Sequence, residues 1–263
     1  MREIDFIEKF LRQSWDYVNE KYRDKNLVTI TSKGDPADLL TEVDLTVQKR
    51  FIETLRGQFP EDEVVAEEGE YARVPRNPAA RAWVIDPIDG TYNFVRGLNP
   101  VFGVSIAFVE DGTARAAGVA FPVTGQLFLA EQGAGSFFNG RRIRVSDVQH
   151  IGEACVEIDF STMEDRRMFL KNAAAVMGQV GQIRCIGAAV GGICQVATGD
   201  ADGYLHMTLH PWDYAAAQLI AEEAGAVSSR LDGSPLRVFD GKKGVLITNG
   251  AIHEAMLAMI ETA

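Results

Sequence analysis

The sequence predicts a mixed α and β fold, with sheets and helices stacked in layers within one unit. Three observations carry this expectation. Apolar residues near the N-terminus recur every three or four positions, the spacing of one helix face. The stretch from Glu63 to Phe138 is written in strand and turn signals, and from Cys155 onward strand-like and helix-like segments alternate.

Taken in order, Ile4, Ile7, Leu11, Trp15, Val18 and Tyr22 mark a first amphipathic helix. Ser32-Lys33-Gly34-Asp35-Pro36 reads as an exposed loop. Val43, Val47, Phe51, Leu55 and Phe59 step by four along a second helix, which Gln58-Phe59-Pro60 is expected to stop. Strands follow at Val64-Val65-Ala66, Trp83-Val84-Ile85, Phe102 to Val109, Ala114 to Phe121 and Gln126 to Ala130. Asp111-Gly112 and Asn139-Gly140 are hairpin signals, so this sheet is expected to be antiparallel or mixed. The second half reads as a strand from Cys155 to Phe160, a helix around Arg166 to Met177, a strand near Ile183, a helix from Ala189 to Thr198, a strand near Tyr204 and a helix from Tyr214 to Ala224 begun by Asp213. Gly199 and Gly225 suit the positions just past helix ends. No repeat or Pro/Gly/Ser linker divides the chain, which is therefore expected to form a single domain over residues 1–263, with halves of about 1–150 and 151–263.

With 263 residues, 46% of them hydrophobic, the chain buries a substantial core without disulfides. Cys155, Cys185 and Cys194 are odd in number, form no C-x-x-C pair and read as buried thiols of a reducing compartment. No long apolar run suggests membrane spanning, and acids interrupt the N-terminal apolar pattern, so a cytoplasmic protein is expected. The net charge of −11, without a basic stripe, argues against nucleic acid as the main ligand. A small phosphate ester is not excluded, because a bound divalent cation reverses the local field.

The most informative segment is Asp86-Pro87-Ile88-Asp89-Gly90-Thr91 after the apolar run Ala82-Trp83-Val84-Ile85. Asp86 ends a strand and Pro87 forces a turn, so Asp86 and Asp89 can face one cavity with the Ile88 carbonyl as a further oxygen ligand. The backbone N–H groups of Gly90 and Thr91 then open the next segment and suit a phosphate oxygen, Gly90 allowing close approach. Glu67, Glu68 and Asp213 are candidate distant carboxylates for such a magnesium and phosphate site. The alternative for the hexapeptide is a strand end that satisfies only its own backbone. Asp213 alone reads equally as a helix cap, Asp44 as a solvated charge, and Lys33 as an exposed lysine or one near the phosphate. Glu222-Glu223, an acidic pair without a turn motif, reads as helix surface. No nucleophilic Cys, Ser–His pair or P-loop suggests another chemistry.

The run from Trp83 to Phe94 resembles the first signature of the inositol monophosphatase family, and Trp212-Asp213-Tyr214-Ala215-Ala216-Ala217 resembles its second. Asp38 to Asp44, Ala66-Glu67-Glu68-Gly69, Phe137-Phe138-Asn139-Gly140 and Gly225-Ala226 agree in order and spacing, so the resemblance covers nearly the whole chain. It implies a layered α-β-α-β-α sandwich of the sugar phosphatase type and a Mg²⁺-dependent phosphomonoesterase acting on a small polyol or sugar phosphate. By this resemblance Glu67, Asp86 and the Ile88 carbonyl hold one Mg²⁺, and Asp86, Asp89 and Asp213 hold a second. A third, weaker ion touches Glu67, and Thr91 with Asp44 orients and deprotonates the attacking water. Glu68 is a supporting group, and the backbone of Ala189 contacts the alcohol part of the substrate. Lithium sensitivity and a homodimer are further implications.

The chain departs from the family at His206, where inositol-cleaving members carry glutamate. A neutral imidazole accepts one hydrogen bond and donates another, which favours a different partner from a neutral polyol. His206 otherwise reads as an ordinary buried strand residue, and His210 as structural. The alternatives are fructose-1,6-bisphosphatase or nucleotide 3′-phosphatase activity on the same scaffold, and a regulatory protein that binds a macromolecular partner.

Overall fold

Helix α1 (Glu3–Arg23) forms where the apolar period is strongest, with Glu3 and Asp5 in its first turn and Lys21 and Arg23 in its last, each sign opposing the macrodipole. The computed structural model describes residues 1–24, 29–32, 39–75, 77, 80–97 and 99–260. A hairpin not expected from the sequence, β1 (Ile30–Ser32) with β2 (Leu39–Thr41), leads into α2 (Glu42–Arg56). Of the expected loop only Ser32 is described; it ends β1, while Lys33 and the rest lie outside the described residues. A capping box starts α2: the Thr41 hydroxyl accepts from the Val43 N–H, and the Asp44 carboxylate accepts from the Thr41 N–H. The helix ends at Arg56, before Gly57, so Phe59 lies beyond it and not on its face.

The strands β3 (Glu63–Ala66), β4 (Ala82–Asp89), β5 (Gly103–Glu110), β6 (Thr113–Phe121), β7 (Gln126–Glu131), β8 (Gly135–Phe138) and β9 (Arg141–Arg142) form a sheet in sequential order, with helix α3 (Thr91–Arg96) between β4 and β5. Only β3–β4 is parallel, as a mixed sheet requires. Both hairpin dipeptides have positive φ at both residues, 52° and 70° at Asp111-Gly112 and 46° and 77° at Asn139-Gly140, which is the geometry of a two-residue hairpin turn.

The second half contains β10 (Cys155–Asp159), α4 (Met163–Asn172), β11 (Gln182–Arg184), α5 (Ala189–Thr198), β12 (Gly203–Leu209), α6 (Pro211–Glu223), β13 (Val227–Ser229), β14 (Lys243–Thr248) and α7 (His253–Leu257). Its sheet runs β11-β10-β12-β14-β13, parallel across the first three and antiparallel beyond. The strands β13 and β14 were not anticipated. Helix α4 starts three residues before the expected Arg166, because Thr162 and Asp165 form a capping box, and it ends at Asn172 with a 3₁₀ turn over Ala174–Gly178. Helix α6 starts at Pro211, which needs no N–H at that position, so Asp213 sits inside the first turn and not at its head.

Three apolar cores separate five layers. One lies between α1, α2 and the outer face of the larger sheet, and includes Ile7, Leu11, Phe51 and Trp83. The second fills the space between the two sheets around α5 and α6, with Val190, Ile193, Tyr214 and Ile220. The third lies between the smaller sheet and α4 and α7, with Ile158, Phe169, Leu205 and Met256. The fold is thus α-β-α-β-α. Trp83 is fully buried against Phe6, Phe59 and Phe108, and its indole N–H donates to Asp62 at 2.9 Å, so its polar end is satisfied inside the core.

Two minor expectations fail. Cys194 is buried, but Cys155, at the start of β10, is only partly so, and Cys185, just past the end of β11, is exposed. Glu222 and Glu223 end α6, and Glu223 is more than helix surface: its carboxylate accepts from the Gly133 and Gly135 N–H groups at 2.7 and 2.8 Å and ties down the β7–β8 turn.

Candidate active site

Where the carboxyl ends of β3, β4, β10 and β12 meet, a cavity of about 680 Å³ opens between the two sheets. Its lining includes Glu67, Asp86, Ile88, Asp89, Gly90, Thr91, Ala189, His206 and Asp213, drawn from both halves of the chain. Ligands in sheet-and-helix proteins commonly bind at strand C-termini, where turns are free to carry polar groups.

Asp86 and Asp89 are three residues apart on a strand, a spacing that ordinarily points side chains to opposite faces. The register with β5 shifts between them: Asp86 pairs with Ser105 but Asp89 with Gly103. Three steps on one strand answer two on the other, a bulge that restores both aspartates to the same side. Pro87, which has no N–H to give the ladder, occupies the irregularity. The Ile88 N–H donates to Asp86 Oδ1 at 3.0 Å. At Gly90 φ is 84°, and a Cβ would lie 2.9 Å from the Ala188 Cβ and 3.1 Å from the Val101 carbonyl oxygen, so no other residue fits without displacing backbone.

Asp89 accepts from the Ala189 and Val190 N–H groups at 3.3 and 2.9 Å. It therefore caps α5 from a hundred residues away and joins the two halves at the cavity floor. The Ala189 N–H, expected beside the substrate, is thus engaged by Asp89. Asp213 accepts from the His210 N–H at 2.7 Å, which fixes its carboxylate at the start of α6. His210 stacks flat on Trp212, with ring centroids 4.6 Å apart. Asn93 donates to the Val101 and Ile186 carbonyls at 2.9 and 2.6 Å, tying α3 to the loop before α5.

Glu67 follows β3 directly, and the next peptide is clamped by Gln48 of α2, whose amide accepts from the Glu68 N–H at 3.1 Å and donates to its carbonyl at 2.8 Å. Asp44, Glu67 and Glu68 each bring a carboxylate oxygen within 4.8 Å of the others. Asp44 Oδ2 accepts from the Thr41 N–H and hydroxyl. The Thr91 hydroxyl lies 3.4 Å from Asp44 Oδ1 and 2.9 Å from the Ile88 carbonyl oxygen. Its one proton can be donated to either, and the Ile88 carbonyl is the nearer acceptor.

Electrostatically the floor is crowded with acid. Burial, followed by the charges of Glu67, Asp89 and Asp213, pushes Asp86 well above the usual carboxylate range. Burial and then Glu67 and Asp89 do the same to Asp213. Asp89 is raised to about 7 by burial despite its bonds to α5, and Asp44 to about 7 by burial, against the Thr41 bonds and with Glu67.

His206 is 2% exposed, and burial lowers its imidazole to about 4. Its Nδ1 accepts the Thr208 N–H at 3.1 Å, so the proton of the neutral ring sits on Nε2, which faces Ser161 Oγ at 3.2 Å. The cavity also takes in Asp159, Ser161, Thr162, Arg166, Tyr204 and Lys242, none of which the sequence reading selected. Only the Thr162–Asp165 capping pattern was a usable signal, since it places a helix start at this wall.

A sandwich of this layering, with an acid-floored cavity between its sheets, is the architecture of the phosphatases that this chain resembles. The model of the inositol monophosphatase family matches residues 3–263, and the chain belongs to that family. It is 34% identical to a fructose-1,6-bisphosphatase/inositol-1-monophosphatase of Thermotoga maritima, covering 99% of this chain and 96% of that one. It is 35% identical to human inositol monophosphatase 1, covering 97% and 92%. A solved Thermotoga maritima IMPase superposes with a TM-score of 0.86 at 31% identity, covering 98% and 96%. The protein is an enzyme, a phosphatase of this family. Among the described residues no helix is long and apolar enough to cross a membrane.

Proposed function

We propose that the enzyme is a Mg²⁺-dependent phosphomonoesterase that hydrolyses a small polyol or sugar phosphate by direct attack of water. The observation that carries this is the convergence of Glu67, Asp86, Asp89 and Asp213 with the Ile88 carbonyl in one cavity. Burial and mutual repulsion oppose ionisation there, which hard cations would reverse, so the all-oxygen donor set fits magnesium. Glu67, Asp86 and Ile88 would hold one ion, Asp86, Asp89 and Asp213 a second, and Glu67 also reaches a third. Bound there, the ions supply Lewis-acid stabilisation of the phosphoryl oxygens and a lowered pKa for water.

The protein's own groups do the rest. Thr91 positions the attacking water and passes its proton toward Asp44. The Gly90 and Thr91 N–H groups hold a phosphate oxygen. Gln48 keeps the Glu67–Glu68 peptide in place, and Asp89 couples the floor to α5, whose Ala189, with His206 of β12, borders the alcohol part of the substrate. Residues 1–263 act as one catalytic domain, since neither half alone completes the cavity, and the enzyme works in the cytoplasm as a homodimer with a lithium-sensitive site. The names of the Thermotoga and human relatives support the reaction class. A site freed of catalysis has no need of such an acid set, which disfavours the regulatory reading.

Phosphate release from a panel of polyol and sugar phosphates, with Mg²⁺ and with chelator, tests this directly. Magnesium-dependent turnover with lithium inhibition is expected. Neither turnover nor a magnesium-induced rise in melting temperature would sink the proposal and favour a partner-binding protein.

A further inference from the structure

The residues beyond the acid floor form a wall with its own logic. Thr208 donates its N–H to His206 Nδ1, and His206 donates from Nε2 to Ser161 Oγ, so both imidazole nitrogens are used. The Ser161 hydroxyl proton is left to point at a cavity acceptor. Asp165 is saturated: one oxygen accepts from the Thr208 hydroxyl, the other from the Thr162 N–H and hydroxyl at 2.9 and 2.8 Å. Arg166 and Lys242 line the same cavity, and neither has an ion-pair partner among the described residues. Lys242 is near enough to act electrostatically on both His206 and Asp213, which places it where wall and floor meet.

One carboxylate opposes this pattern. Asp159, the register partner of His206, also lines the cavity. Its Oδ1 accepts from the Gly187 N–H at 2.8 Å and the Cys185 thiol at 3.4 Å, and burial raises its pKa, so it repels an anion less than a free carboxylate would.

Resting on the phosphatase reading above, we propose that Arg166 and Lys242, with the Ser161 hydroxyl, form a second anion subsite that takes a phosphate or carboxylate on the alcohol part of the substrate. The floor handles the phosphate to be cleaved, and this wall recognises the charge that stays behind. Among the described residues the Asp159 Oδ2 is an unpartnered acceptor in the same lining, but two cations and a hydroxyl donor outnumber that one buried carboxylate and suit an anion better than the ring hydroxyls of a neutral polyol.

The test compares matched substrates in the presence of Mg²⁺: fructose 1,6-bisphosphate against fructose 1-phosphate for a second phosphate, and 6-phosphogluconate against glucose 6-phosphate for a carboxylate. In the native enzyme the doubly anionic member of at least one pair is expected to have the higher kcat/KM. Arg166→Gln and Lys242→Gln, both at exposed positions, should each cut that preference about tenfold, mainly through KM, as loss of a charge-assisted hydrogen bond does. The pair that responds identifies the anion. An absent preference in both pairs, a preference that survives both substitutions, or an equal loss on both members of a pair would overturn the subsite. A native enzyme that hydrolyses none of the four but releases phosphate from a neutral polyol phosphate such as inositol phosphate overturns the subsite alone. No release from any member of the wider polyol and sugar phosphate panel and no magnesium-induced rise in melting temperature overturn the phosphatase reading and the subsite with it.

Discussion

The two ends of the cavity are built on opposite principles. The floor gathers buried carboxylates, Asp86, Asp89 and Asp213 with Glu67 beside them, that repel one another in the bare protein. The wall around His206 pairs donors with acceptors until little but positive charge is unspent. The floor is frustrated by its own like charges, whereas the hydrogen bonds around His206 and Asp165 are made and, among the described residues, the unpaired groups of the wall include Arg166, Lys242 and the Asp159 Oδ2. Function at the floor should therefore trade against stability, and substitutions in the wall should change selectivity more than the reaction.

The sharpest way to break this contrast is Asp86→Asn. Loss of a carboxylate shared by both proposed ions should lower kcat by at least about a thousandfold, equivalent to several kcal/mol of transition-state stabilisation. Without divalent cation the same variant should melt higher than the native enzyme, because one member of the repelling set is neutralised. A lower melting temperature would mean that Asp86 is structural. Next in size, Thr91→Ala should lower kcat by roughly a hundredfold, the usual worth of a positioned proton-transfer group, with partial recovery in Thr91→Ser. A thermal scan with Mg²⁺ at about a hundred times its Kd should raise the melting temperature by about 5–10 °C, since binding at that ratio adds ~2.7 kcal/mol. An unmoved melting curve would remove the frustrated floor from the argument.

The wall gives the smaller effects. His206→Glu should raise selectivity for inositol phosphate over doubly anionic sugar phosphates several-fold, because it restores a hydrogen-bond acceptor; a panel of initial rates measures this. His206 also shapes the stability curve. Its imidazole is lowered to about 4 in the folded chain, against an ordinary value of 6.5, so the unfolded chain binds the extra proton first. This contribution is complete above about pH 6.5 and is lost as pH falls toward about 4. Between about pH 7.5 and pH 5 the native enzyme should lose ~2 kcal/mol more than His206→Gln in urea titrations. Equal losses would show that His206 is no more buried in effect than a surface histidine.

Much of the floor was legible because its key residues are consecutive. Asp86 to Thr91 carry a turn, oxygens that converge on one cavity and a close approach in six positions, each with a residue-level reason. Helix α5 was readable in place and in its end, because an apolar segment ends in Gly199 at φ 76°. The misses were of another kind. Strand β14 has no alternation to betray it, since both its faces are covered, Val245 and Ile247 by the core around the central helices and Leu246 by the outer core. Helix α4 was placed late because its start depends on the Thr162–Asp165 cap and not on apolar spacing. Arg166 and Lys242 look like surface charges on any one-dimensional reading.

What the amino-acid order determined unaided is local: hairpins at Asp111-Gly112 and Asn139-Gly140, the apolar faces of α1 and α2, and the bent strand end that carries Asp86 and Asp89. These follow from backbone sterics and the periodicity of neighbouring residues. Tertiary structure decided that Asp89 would cap α5, that Glu223 would clamp a distant turn, and that His206 would spend both nitrogens inside a wall facing Lys242. Each of those depends on which groups meet after the two sheets close on the central helices, and burial there fixes their charge and their partners.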